Sequence, residues 1–79
     1  MAQLTITGSR PGLRKISMTR AIQNRAGLGL AAAKRVTDDV LDGGTVTVAL
    51  TDIASARTLA HELEALGATC HVESGVDAG

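Results

Sequence analysis

The side chains of this chain that could carry chemistry are few: His61, His71, Cys70, and the acids Glu62 and Glu64. Cys70 and His71 are sequence neighbours, and a thiolate with an imidazole suggests a metal site or an activated nucleophile. Adjacent residues of a strand point to opposite faces, so the two cannot chelate one ion. Cys70 reads as a small buried hydrophobe. His61 falls beside the apolar stripe of a helix, and Glu62 and Glu64 read as solvated helix residues rather than an acid/base pair. No Ser/His/Asp or Cys/His order suggests a triad. A chain of 79 residues also leaves little room for a substrate cleft. These features argue against an enzyme and for no cofactor or metal.

The charges are more informative. Formal net charge is zero, but residues 1–35 hold Arg10, Arg14, Lys15, Arg20, Arg25, Lys34 and Arg35 and no acid. The remainder sets Arg57 against Asp38, Asp39, Asp42, Asp52, Glu62, Glu64, Glu73 and Asp77. Such segregation makes a sizeable local field within a neutral molecule. Either the two halves neutralise each other by packing, or the basic half presents a binding face.

Length and composition set the frame for those charges. A chain of 79 residues with 44% hydrophobic and 20% charged residues is one domain, expected to span 1–79 and to be ordered over about 2–73, with a loose tail at 74–79. A core this small sustains a net stability on the order of 3–5 kcal/mol. One cysteine excludes an internal disulfide scaffold, and no run is apolar or long enough for a membrane span or signal peptide. A cytoplasmic protein is the expectation. The absence of Phe, Tyr and Trp removes stacking platforms for single-stranded nucleic acid.

Periodicity supplies the elements. Residues 3–7 alternate, with Leu4 and Ile6 on one face of a strand, and Gly8 to Gly12 reads as a loop. From Lys15 to Arg25 a helical stripe of Met18, Ala21, Ile22 and Arg25/Ala26 turns inward. Gly27-Leu28-Gly29 makes a corner, where the glycines allow positive φ and close backbone approach and Leu28 and Leu30 anchor the helix ends. A second helix, Leu30 to Leu41, buries Leu30, Ala33, Val36, Thr37, Val40 and Leu41, and Gly43-Gly44 ends it. Thr45 to Leu50 is a β-branched strand. Asp52 caps a helix whose stripe is Ile53, Ala56, Leu59, Ala60, Leu63 and Leu66, with Gly67 closing it. Ala68 to Glu73 alternates again, with Ala68, Cys70 and Val72 inward. The order β-α-α-β-α-β is an α+β fold with helices on one sheet face.

On the first helix the outward stripe is Ile16, Thr19, Arg20 and Gln23. Ile16 is an apolar residue in a polar stripe, flanked by Arg14, Lys15 and Lys34. It is either a small docking patch or a staple packed against the Pro11 loop or under the second helix.

The run from Lys15 through Gly27-Leu28-Gly29-Leu30 to Ala33-Lys34, with Leu63-Glu64-Ala65-Leu66-Gly67-Ala68 before a closing strand, resembles the C-terminal domain of the bacterial ribosomal stalk protein family (the large-subunit protein numbered seven/twelve). The resemblance covers about Leu4 to Glu73 and departs around Asp38 to Thr51. It implies a three-stranded antiparallel sheet with three helices on one face. It also implies a translation-related protein–protein interaction domain that docks elongation-factor GTPases or otherwise serves the ribosome. The contact residues it implies are Lys15, Ile16, Thr19, Arg20, Gln23, Gly29 and Lys34. Thr19 stands where the family has an aliphatic residue and Gln23 where it has an arginine. Because the first strand follows Met1 almost at once, a stand-alone relative without the family's dimerisation helices and hinge is expected; its oligomeric state is left open.

Two alternatives come from other classes. The seven cations could contact phosphates, making the hairpin a nucleic-acid binder, against which stand the lack of aromatics and the acidic second half. A protease-chaperone adaptor shares a related fold, but its expected acidic and aromatic motifs are missing.

Overall fold

The computed structural model describes residues 2–74. Its element order is β1 (Ala2–Ser9), α1 (Lys15–Ala26), α2 (Leu30–Leu41), β2 (Val46–Leu50), α3 (Ile53–Leu66) and β3 (Ala68–Ser74). The expected loose tail begins at Ser74, which closes β3 instead; beyond it the tail lies outside the described residues. No helix among the described residues is long and apolar enough to cross a membrane.

The alternation in β1 sorts its side chains by face. Leu4 and Ile6 are fully buried, and Gln3 and Thr7 are exposed. β1 is the central strand of a three-stranded antiparallel sheet ordered β2-β1-β3. Gly8 and Ser9, expected in a loop, extend β1 by pairing with Thr69 and Ala68. A bulge at Thr7 makes this register possible, and the Thr7 hydroxyl donates to the Thr69 carbonyl at 3.2 Å.

All three helices lie on the face that Leu4, Ile6, Val48 and Leu50 share. Met18 and Ile22 of α1, Ala33 and Val40 of α2, and Ala56, Leu59 and Leu63 of α3 complete the core. Leu30, Leu41 and Ile53, expected inside, are exposed. Each is the first or last residue of its helix. There the stripe runs past the neighbours that cover it, so periodicity alone overstates its burial.

The Asp52 cap forms as expected, its carboxylate accepting the Ser55 N–H at 2.7 Å. Hydrogen bonds to Ser55 hold its pKa below the ordinary carboxylate value. A lowered folded pKa means that the stabilisation is complete above the unfolded value and is lost as pH falls through the folded one. Asp52→Ala is therefore expected to lower the melting temperature at neutral pH. Asp52→Asn, which still caps, should keep most of the stability and flatten its acid-side decline. Thermal melts of both variants from neutral to acid pH check this.

Candidate functional site

α1 and α2 run antiparallel through the corner at Gly27-Leu28-Gly29. Gly27 takes the left-handed conformation that ends α1 (φ +70°). Gly29 does not: its φ is −69°, and a Cβ there would meet nothing within 4 Å. It starts α2, its carbonyl accepting the Ala33 N–H at 3.0 Å. The expected positive φ thus holds at Gly27 and not at Gly29, and the expected close approach at neither, since a Cβ added at Gly27 would also meet nothing within 4 Å. Leu28 packs against the core, whereas Leu30 turns outward.

Between the two helices lies an open groove of about 650 Å³. Six of the seven residues expected to contact a partner line it: Lys15, Ile16, Thr19, Arg20, Gln23 and Lys34. Gly29 does not. The volume falls within the range of small-ligand clefts, more room than the chain length suggests, but the site is a surface furrow. Ile16 is 73% exposed and staples nothing, and Leu30 is 57% exposed on the same groove. Two aliphatic side chains therefore stand in water among Lys15, Arg20 and Lys34.

Thr19 departs from its expected place. It is only 9% exposed, at the floor of the groove under α2. Its Oγ1 lies 2.8 Å from that of the buried Thr37, and the two hydroxyls also reach the carbonyls of Lys15 (2.9 Å) and Ala33 (3.2 Å). Two hydroxyl protons serve these three contacts, and one of them holds the Thr19–Thr37 contact together. The pair seals a polar seam between α1 and α2. Sequence reasoning missed Leu30, Thr37 and Asp38 as groove residues. Asp38 lies one turn beyond Lys34, a spacing that puts both on one helix face.

At the start of α1 and the end of α2 charge placement opposes helix stability, whereas Arg25 in the last turn of α1 favours it. α1 begins with Arg14 and Lys15 and has no acid in its first turn. α2 carries Asp38 and Asp39 near its end, has Asp42 as its C-cap and has no base in its last turn. Each set faces the like end of its helix dipole, an arrangement that costs stability. Neutralisation between the halves is slight: the one ion pair among the described residues joins Arg25 to Glu62 across α1 and α3.

The remaining reactive groups stay apart. Cys70 points at α3, its Sγ 3.7 Å from the Ala60 carbonyl, and His71 is exposed on the opposite face. Glu62, expected to be a solvated helix residue, keeps a side chain 41% exposed while pairing with Arg25. No group of metal-ligating side chains gathers among the described residues. Burial, helped by the charge of Glu64, pushes the Cys70 thiol up to about 11. Alkylation by iodoacetamide at pH 8 is accordingly expected to be slow in the folded protein and fast in denaturant; equal rates would refute the burial.

No protein-family model matches the chain, and no curated protein matches it either.

Proposed function

We propose that the α1/α2 groove is a protein-docking site and that the chain is a non-enzymatic interaction module. The partner presents an acidic surface with an apolar centre; a translational GTPase is the candidate suggested by the resemblance to the ribosomal stalk domain. The observation that carries this reading is the exposure of Ile16 and Leu30 inside a ring of Lys15, Arg20 and Lys34. Isolated aliphatic residues on a surface need no explanation. Two of them in one cationic furrow, with helix charges placed against the dipoles, do. Apolar anchors rimmed by charge are how small interfaces combine affinity with steering.

A phosphate backbone fits the groove less well, because Asp38 lines it beside Lys34 and no aromatic ring is available for base stacking. The test is a titration of an elongation-factor GTPase into isotope-labelled protein, followed by amide shifts. Shifts confined to the groove residues of α1 and α2 support the reading. Residues 14–34 that stay unmoved at saturating factor remove that partner.

A further inference from the structure

From Gly43 to Thr51 the chain carries no charged side chain. β2 fills the centre of this run and is an edge of the sheet. An edge strand offers unpaired backbone N–H and C=O groups, and proteins guard such edges with charges, proline, bulges or a covering element. The opposite edge, β3, is guarded: His71 and Glu73 are exposed on its outer face and a bulge interrupts its pairing with β1. β2 has neither safeguard. Its pairing with β1 is unbroken from Leu50 to Val46, and only its shortness, 5 residues, limits it.

The pattern of β2 is also nearly palindromic. Antiparallel pairing of two copies about a dyad through Val48 sets Val48 against Val48 of the second copy, Val46 against Leu50, and Thr47 against Ala49. The inward pairs are all aliphatic, the outward pairs are small and uncharged, and both faces stay in register. A mostly apolar depression of about 340 Å³, lined by Arg25, Ala26, Ala49, Leu50 and Thr51, lies at one end of this edge. In that register Val46 and Thr47 of the second copy, opposite Leu50 and Ala49, lie beside it, and the dyad repeats the contact. Asp42 and Asp52 close the uncharged run, and Arg25 lines the depression at its Leu50 end.

We infer that the β2 edge is a self-association surface, on which a second copy adds its own β2 antiparallel about Val48 to make one continuous sheet. This surface is separate from the α1/α2 groove and does not depend on its reading.

The experiment is sedimentation velocity with amide spectra and hydrogen exchange on the full chain, from about 10 µM to about 1 mM, the range in which an association of a few kcal/mol is visible. Mass should rise toward the dimer with concentration, and the amides of β2 should shift and slow in exchange. Thr47→Lys, on the exposed outer face, should weaken the dimer about tenfold, through two like-placed charges at the dyad. Adding Ala49→Glu to the same chain should restore it, because the introduced groups then face each other across the dyad. If circular dichroism shows that Thr47→Lys does not fold, Ala49→Lys takes its place. Arg20→Glu should leave the dimer intact. Monomer mass at every concentration overturns the inference. So does a dimer indifferent to the lysine variants or abolished by Arg20→Glu. Protection of β2 that appears only when another protein is added, at monomer mass, assigns the edge to a different occupant and also overturns it.

Discussion

Replacing Gly67 with alanine is expected to remove about 2–4 kcal/mol of stability, most of what a domain this small holds. Gly67 ends α3 at φ +114°, where an L side chain is strained. A Cβ there would lie 2.9 Å from the Leu13 Cα, a backbone atom with no rotamer to yield. The neighbourhood cannot easily slide apart. The Arg10 N–H donates to the Gly67 carbonyl at 2.7 Å and the Arg14 N–H to the Leu66 carbonyl at 3.0 Å. The Arg10 guanidinium also donates to the Glu64 carbonyl. These bonds clamp the β1–α1 loop onto the end of α3. They set where α1 begins, and hence where Lys15 and Ile16 stand in the groove. Gly27→Ala is the matched comparison: φ is also positive, but nothing lies within 4 Å of the added Cβ. It should cost about 1 kcal/mol, the conformational strain alone. Urea denaturation of both variants separates strain from collision. A Gly67→Ala protein no less stable than Gly27→Ala would show that the Leu13 loop gives way.

The contrast between these glycines marks what the sequence can express. A glycine after an apolar stripe announces the end of a helix, and at Gly27, Gly43 and Gly67 the chain turns left-handed there. That Gly67 meets Leu13 is a contact across most of the chain, invisible to any local pattern. The same boundary divides the groove. Period-2 and period-3.6 patterns suffice to place Leu4, Ile6, Met18, Ile22, Leu59 and Leu63 inside. They put Thr19 on the outer stripe because they describe α1 alone. α2 lies over that position, and the hydroxyl of Thr37 across the helix gap makes burying a threonine tolerable. Leu30 fails in the opposite sense. The helical spacing counts it inward, but as the first residue of α2 it lies past the neighbours that cover the stripe and lines the groove instead.

Reversing one charge of the groove should damage docking far more than folding. Arg20 and Lys34 are exposed and make no ion pair among the described residues, so Arg20→Glu and Lys34→Glu should each change stability by no more than about 0.5 kcal/mol. If the proposed partner is acidic, each reversal replaces an attraction with a repulsion, and affinity should fall about 10- to 100-fold. The two variants test different risks. Arg20 also borders a second depression that contains Glu62, so a glutamate there brings one more carboxylate toward that residue. Lys34 lines the α1/α2 groove and neither that depression nor the one beside Leu50. Agreement between the two variants therefore assigns the loss to the groove rather than to a disturbed α1/α3 contact. Ile16→Ser provides the uncharged counterpart. An anchor 73% exposed in the free protein contributes little to folding, so its removal should cost on the order of 1–2 kcal/mol of binding with the fold unchanged. Salt separates the effects further. The charge-reversal losses should shrink as ionic strength rises, because added ions screen exposed charges. The Ile16→Ser loss should persist, because apolar burial is not screened. Calorimetric titrations of the three variants at low and high salt, each checked by urea denaturation, read all of this. Full affinity in both reversal variants would mean that the cations of α1 and α2 face solvent in the complex as well, and the groove would lose its claim to be the docking site.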